Sequence, residues 1–592
     1  MRRVLLLAIT CAVVAFTGWY IWNLSHETWA LPVSALLPRE TIFLAQMPDF
    51  NRTRDQWHHS DIYALYQEPA VQDFLRKPLA NLSKADAVGQ TLREIEQLDP
   101  KNVFLALTSI EGNSPTFVGG FRFRGRPDDA ERVVGKWRSQ VLEKNPGTKR
   151  EKIKHGRHEI ELLVASPFTL ATAYDRPWFL AATDLAELKA LLERADHHGN
   201  HRNDALTQNE AYRAAISHRP WDYALSFYLQ PKTFAQRLAA LRASVQSAAT
   251  AKESTLLEQM RAIFGTTKFE GGKIHDVVFL GMPKLEEDAT LSRSSPRLGT
   301  RETFFYLAML LNVGGKVDTL NQAAGFSGAM QRIFQAFTDG GITADDWKAA
   351  FGTEVESVAD WPSSAHWPTL LVTLPVLDMA KAGNIVEAVT RADEAAWTKT
   401  EKDGVRYFSK QSPANLVAVT PTIALSDRIL IVALNPVSAE EAVKRSVGAS
   451  SELADSQTYK AATRLLPPPT NFFAYVDTAL LYSRLDASLR PILMLAAAFM
   501  PSVATDFDLA KIPSPEVITK HLSPIVTSQR YDRDGYVVES IGPITLDQSL
   551  SGLAIAGGLG TMPRQISGSG KRGWGSSPAV SPQPSPSPSG TP

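Results

Sequence analysis

PRETIFLAQM (Pro38–Met47) and TRETFFYLAM (Thr300–Met309) are two versions of one segment. Reading them as a repeat decides the fold. Arg39 aligns with Arg301 at an offset of 262 residues. Five more pairs follow in the same order. PTFVGGF from Pro115 answers PTLLVTL from Pro368 at 253, and Asp175-Arg176 answers Asp427-Arg428 at 252. LTQNEAYRAA from Leu206 matches LADSQTYKAA from Leu453 at 247, and WDYALSFYL from Trp221 matches NFFAYVDTA from Asn471 at 250. VVFLGMP from Val277 matches VVESIGP from Val537 at 260. Coincidence explains any one pair but is a poor account of six in order, with an offset that drifts only as small insertions require.

Each copy carries the same coarse pattern. A strand (Thr41–Met47; Thr303–Met309) leads into a helix-rich stretch and then a second strand (Thr116–Phe123; Thr369–Pro375). An amphipathic helix follows; in the first copy it covers Asp128–Leu142, with Val133, Val134, Trp137 and Val141 at helical spacing. Hairpins turn at Lys154-His155-Gly156-Arg157 and Lys402-Asp403-Gly404-Val405, then at Asp175-Arg176-Pro177 and Ser426-Asp427-Arg428. Asp184 with Glu187, and Ser438 with Glu441, fit the capping-box spacing at a helix start. Leu185, Leu188, Leu191 and Leu192 give the first of these helices its apolar stripe. Strands joined by hairpins and interspersed with helices predict an α+β fold of two tandem homologous lobes with mainly antiparallel sheets. The predicted lobes are 37–283 and 300–546, separated by a polar, turn-rich linker at 284–299.

The termini read differently. Arg2-Arg3 precede Val4–Trp22, 19 residues without a charge. At about 1.5 Å per residue this run matches a bilayer core of about 30 Å. The arginines stay cytoplasmic and the chain after Trp22 lies across the membrane. The expectation is a signal anchor at 1–22 and a juxtamembrane linker at 23–36, with secretion if the segment is cleaved. A lipoprotein signal at Cys11 is the weakest alternative. Residues 547–567 form an apolar, glycine-rich segment too short to span a bilayer, and 568–592 form a Pro/Ser-rich tail expected to be disordered.

Composition excludes several classes. The 592-residue chain has 62 Lys+Arg against 62 Asp+Glu, a net charge of zero, which argues against a nucleic-acid partner. Its single cysteine, Cys11, excludes an intramolecular disulfide, a thiolate zinc site and an iron–sulfur cluster.

The opening Leu37-Pro38-x-x-Thr41 runs into an apolar strand ending near Pro48-Asp49. Later come Leu206…Tyr212-x-x-Ala215 and the strand Tyr223–Tyr228. Their second-copy counterparts are Leu453…Tyr459-x-x-Ala462, Leu465-Leu466-Pro467 and Tyr475-Val476-Asp477. This pattern resembles the bacterial family labelled domain of unknown function 3352, over much of residues 37–545. The resemblance implies an exported or membrane-anchored protein and carries no catalytic residues. The first copy lacks the Tyr-x-Asp ending, which weakens a functional role for Asp477.

Candidate chemistry is weighed residue by residue. His197, His198 and His201 lie between Asp196 and Asp204, where a helix carboxyl end favours cations; the second copy has no histidine there. His58 and His59, beside Asp61, point to different sides of a helix and make a poor chelate. His158-Glu159 and His26-Glu27 begin like a zinc motif but lack the second histidine. Asp532-Arg533-Asp534-Gly535 reads as a hairpin turn, since Pro543 stands where a calcium loop needs Glu. Gly568-Ser569-Gly570-Lys571 lacks the strand and helix of a phosphate loop. The recurring Asp-Arg pairs read as turns. Trp137, Trp178, Trp221, Trp361, Trp367 and Trp397 read as core residues, with a groove between the lobes as the functional alternative.

No catalytic, cofactor-binding or metal-ligating residue is therefore assigned. The expectation is a single-pass inner-membrane protein with its bulk periplasmic, acting as a non-enzymatic binding or scaffold protein. The membrane is its first partner; envelope proteins or glycans are the others. An envelope hydrolase or transferase with a cleft between the lobes is the alternative. A third reading, a folding factor, hangs on whether Leu489–Met500 is exposed.

Overall fold

The computed structural model describes residues 31–548, apart from 82–92, 112–113, 125, 166–167, 176, 197–203, 238–258, 285–288, 294, 311–340, 393–396, 411–418, 449–450 and 500–507. The segment 1–22 read as a signal anchor, the three histidines 197, 198 and 201, His26-Glu27 and the segment 568–592 read as a tail lie outside the described residues. No described helix is long and apolar enough to cross a membrane.

The fold is mixed helix and antiparallel sheet. The first half contributes β1 (Phe43–Asp49), β2 (Lys101–Glu111), β3 (Ser114–Arg122), β4 (Lys149–His155), β5 (His158–Ala165), β6 (Phe168–Asp175), β7 (Trp178–Ala182), β8 (Leu225–Leu229), β9 (Ala262–Glu270) and β10 (Lys273–Gly281). The second half contributes β11 (Thr303–Leu310), β12 (Glu354–Asp360), β13 (Thr369–Pro375), β14 (Trp397–Lys402), β15 (Val405–Lys410), β16 (Thr422–Leu425), β17 (Ile429–Ala433), β18 (Phe472–Val476), β19 (Ile525–Asp532) and β20 (Gly535–Gly542). Pairing runs β4-β5-β6-β7-β3-β2-β1-β8-β9-β10 in the first half. The second half repeats that order as β14-β15-β16-β17-β13-β12-β11-β18-β19-β20. One antiparallel ladder of seven residue pairs, β10 against β20, joins them into a single 20-stranded sheet.

The ladders fix the true correspondence between the halves. Leu44 pairs with Ala106 and Tyr228, while Tyr306 pairs with Val358 and Tyr475. Tyr228 therefore corresponds to Tyr475 at an offset of 247, not the 250 read from sequence. Side chains alternate faces every residue, so a slip of three would turn the strand inside out. The hairpin pairs Glu270–Lys273 and Asp532–Gly535 likewise set the last strands at 262 rather than 260. With that offset Val277 and Glu539 are equivalent, and they face each other across the central ladder. The pseudo-twofold axis passes between them. Ala173 pairs with Leu180, and Ala424 with Ile431. Asp175 thus corresponds to Ser426, and the Asp-Arg pairs are not equivalent sites.

Helices cover the sheet where their apolar stripes require. Those used below are α1 (Phe50–His58), α2 (Pro127–Lys144), α3 (Leu185–Asp196), α4 (Glu210–Ile216), α5 (Met379–Ala392), α6 (Pro436–Ser446), α7 (Gln457–Thr463) and α8 (Thr478–Phe499). Leu188, Leu191 and Leu192 of α3 and Tyr212 of α4 pack on Ile160, Leu180, Tyr228 and Phe279 of the sheet. Ala439 and Ala442 of α6 and Tyr459 of α7 pack on Tyr306, Ile431 and Tyr475. A third cluster, around Ile385 and Val386 of α5, takes in Trp397. The Asp184 carboxylate accepts from the Glu187 N–H at 2.9 Å, as the capping pattern requires. In α6 the cap is Asn435, which accepts from the Ser438 N–H at 2.9 Å, with Pro436 opening the helix. Ser438 lies inside the first turn, so the Ser438/Glu441 reading started this helix three residues late.

Both stretches read as linkers carry core residues. Val33 and Leu36 are buried in the first core, and the Arg194 guanidinium donates to the Leu36 carbonyl at 3.2 Å. In 284–299, Leu298 is buried in the second core and Leu291 packs against it. The Ser292 and Arg293 N–H groups donate to the Glu354 carboxylate at 2.7 Å.

The central joint is tightly packed. A Cβ at Gly535 would strike the Leu280 carbonyl and lie 2.8 Å from the Phe279 ring. Gly535→Ala is expected to cost about 1–3 kcal/mol, because the carbonyl can retreat only by breaking the ladder. Urea denaturation measures this; an unchanged midpoint would mean that the strands are not held at this distance.

Candidate functional site

Asp49 ends β1 and starts α1, where its carboxylate accepts from the Arg52 N–H at 2.9 Å. Lys101 opens β2 directly across from it. Asp99 and Asn102, on either side of that lysine, both hold left-handed backbone, with φ of 46° and 48°. Such residues are uncommon outside glycine and collect where a site fixes a side chain. Here they bring Lys101 Nζ to 2.6 Å from Asp49 Oδ2 and 2.9 Å from Asp99 Oδ1. Burial alone would raise the Asp49 carboxyl; the Arg52 N–H and the Lys101 ammonium outweigh it and hold the group below the ordinary aspartate value. Burial alone would lower Lys101, and the two carboxylates hold it above the ordinary lysine value. The pair stays charged near neutral pH.

These groups line a cavity of about 460 Å³. Its far wall is Phe269 and the turn glycines Gly271 and Gly272, at φ of 56° and 82°. The Asp61 N–H ties this turn to the helices by donating to the Gly272 carbonyl at 2.7 Å. Two acceptors of the lining are buried without a hydrogen-bond partner, Asn51 Oδ1 and Gln56 Oε1. Asn51 spends its amide on Asp99 Oδ1 at 3.0 Å and the Glu96 carbonyl at 3.2 Å. An unpaired buried acceptor costs about 1–3 kcal/mol. The lining contains no Ser, Thr or Cys.

The residues singled out in sequence scatter over the fold. His59 lines it, its Nδ1 2.6 Å from the Asp55 carbonyl, while His58 packs on the Tyr63 ring at 4.5 Å. The two rings diverge. Asp477 caps α8 through the Leu480 N–H at 3.0 Å. Asp532–Gly535 closes the β19–β20 hairpin. Trp178 and Trp361 are buried and Trp221 is 90% exposed, and the side chain of Trp137 lies outside the description. Of the Leu489–Met500 stretch, Leu489, Ile492, Leu493, Met494 and Leu495 are exposed, and the side chains of 496–500 lie outside the description.

Three residues dismissed separately in sequence do meet. His158 of β5 is buried, with Nε2 3.0 Å and 3.1 Å from the two oxygens of Asp196 at the end of α3. Its Nδ1 is 3.9 Å from Asp175 Oδ1 at the end of β6. Arg157 lies over both carboxylates, 3.1 Å from Asp175 and 2.7 Å from Asp196.

Comparison with known proteins adds little. No protein-family model matches the chain. No curated protein matches it either. Among solved structures, crystal form III of TP0453 is similar at a TM-score of 0.23 and 8% identity, over 44% of this chain and 82% of that one. Crystal form I of TP0453 gives 0.22 and 8%, over 44% and 81%. Similarities of this size carry no argument about fold or function.

Proposed function

We propose that this chain is a non-enzymatic binding protein of the bacterial envelope, anchored by residues 4–22 with its bulk outside the cytoplasm. Its two halves derive from one duplicated unit of the kind that domain of unknown function 3352 resembles, and the cavity beside Lys101 binds a sugar unit of an envelope glycan. The observation that carries this reading is that Asn51 and Gln56, whose acceptors Oδ1 and Oε1 are buried without a hydrogen-bond partner, line the same cavity as Phe269. Sugars donate several hydroxyl hydrogens and present an apolar face that an aromatic ring accepts. Charged groups of both signs beside them orient a ligand. The two halves meet along the β10–β20 ladder, Ile274–Leu280.

The test is titration of the full chain, in detergent, with soluble peptidoglycan fragments, followed by calorimetry. Saturable binding is expected, and Gln56→Leu is expected to weaken it at least tenfold by removing an acceptor. Absence of binding, or a Gln56→Leu variant as tight as the parent, would overturn the glycan reading. Protease added to spheroplasts tests the location separately: the bulk of the chain should be cleaved while the cells stay intact.

A further inference from the structure

The second half is an internal control on the first. The hairpin pairs His155–His158 and Lys402–Val405 place Val405 at the position of His158 and Gly404 at that of Arg157. Asp175 corresponds to Ser426. With Asp184 and Asn435 as equivalent caps, Asp196 corresponds to Val447. The same fold position is therefore built without any charge in one half, and packing does not demand His158, Asp175 or Asp196 in the other.

We propose that His158, Asp175 and Asp196 form a binding site for a divalent transition-metal ion of the Zn²⁺ class. The site stands apart from the cavity beside Lys101 and does not depend on the glycan reading. One imidazole and two carboxylates suit such an ion, and their ligand atoms all lie within 4.8 Å of one another. Bonds of about 2.1 Å place two ligands on one ion no more than about 4.2 Å apart. The 3.0 Å separation of His158 Nε2 from Asp196 satisfies this; Asp175 stands 3.9 Å from the other ring nitrogen, Nδ1, so it is the carboxylate that must close on an ion held at Nε2. Asp196, with its side chain 32% exposed, is held by His158 and by Arg157, and departure of Arg157 releases one of these contacts. The histidine is the fixed member, its side chain only 3% exposed. Asp196 is the last residue of α3, where the negative end of the helix dipole adds to the attraction for a cation.

Arg157 holds the cation's place. Its side chain is 63% exposed, so it can swing into water when a metal ion displaces it. The exchange replaces a monovalent, loosely held charge with a divalent one that bonds all three ligands. His158 binds through a deprotonated ring nitrogen, so the incoming ion competes with protons as well as with Arg157.

The full-length chain in detergent, stripped with a chelator, is titrated with zinc chloride alone by calorimetry. Bound metal is counted after dialysis, and the visible spectrum of the Co²⁺-loaded chain reports nitrogen and oxygen ligation. One Zn²⁺ per chain is expected. His158→Val is expected to lower affinity by about a hundredfold. Asp196→Val, at an exposed helix end, serves as a second variant with the same expectation if His158→Val fails to fold. Arg157→Gly is expected to tighten binding several-fold. The triple variant His197→Ala, His198→Ala, His201→Ala should bind within threefold of the parent. Failure to retain Zn²⁺, parental affinity in a folded His158→Val or Asp196→Val chain, or loss of binding in the triple variant would overturn the proposal.

Discussion

Tyr228→Ala is expected to cost about 3–5 kcal/mol of stability, the range for removing a large ring from a packed core. Tyr228 is fully buried, and its ring meets Tyr212 edge-on at 5.0 Å. Tyr475 and Tyr459 make the same contact at 5.0 Å in the second half. Aromatic pairs of this geometry add about 0.5–1.5 kcal/mol beyond area burial. The four rings sit where α4 and α7 bear on β8 and β18, so their loss opens a cavity that neither sheet nor helix can fill. Tyr475→Ala is expected to cost a similar amount. Urea melts followed by intrinsic fluorescence check both. A loss below about 1 kcal/mol in either variant would mean that the ring is not part of a rigid core.

Glu354→Ala is expected to cost about 2–4 kcal/mol, although the group removed is a carboxylate. Its carboxylate is 5% exposed and accepts at 2.7 Å from the Ser292 N–H, the Ser292 hydroxyl and the Arg293 N–H. Hydrogen bonds to a charged acceptor are the strong ones, and deleting the acceptor leaves the donors unpaired. Arg293 is held at a φ of 51°, a conformation the chain would relax if released. Glu354→Gln should recover part of the loss, since it keeps one acceptor oxygen. Hydrogen exchange at the Ser292 and Arg293 amides, with a thermal melt, measures the effect. Protection of those amides undiminished in Glu354→Ala would show that something else holds the connection.

The alternation of strands and helices was legible because apolar periodicity is local. The repeat was legible because two copies of one order rarely arise by chance. Register was not, since Tyr228 and Tyr475 find their match only through the partners they face on β1 and β11. The start of α6 was misplaced because Ser438 offers the same chemistry as the true cap, Asn435, and only the position of Pro436 separates them. The cavity was invisible for a different reason: its walls come from residues 49–59, Lys101 and 269–272, which no spacing rule connects. The one local hint was Asp99 and Asn102 around Lys101, two residue types that tolerate left-handed backbone. His158, Asp175 and Asp196 were each noticed and set aside, because a chelate formed by strand ends and a helix end leaves no motif.

The equivalence of Val277 and Glu539 across the central ladder has a meaning for the history of the molecule. A contact in which a surface meets its own counterpart about a twofold axis is the isologous contact of a homodimer. The chain is in this sense a dimer written on one polypeptide. Its single-unit ancestor would have paired its last strand with that of a sister copy, so the edge that an isolated unit exposes was closed before fusion made the closure permanent. Fusion also released the two units from identity. One could then keep Val405, Ser426 and Val447 while the other acquired His158, Asp175 and Asp196, a divergence that a symmetric pair of identical chains could not make.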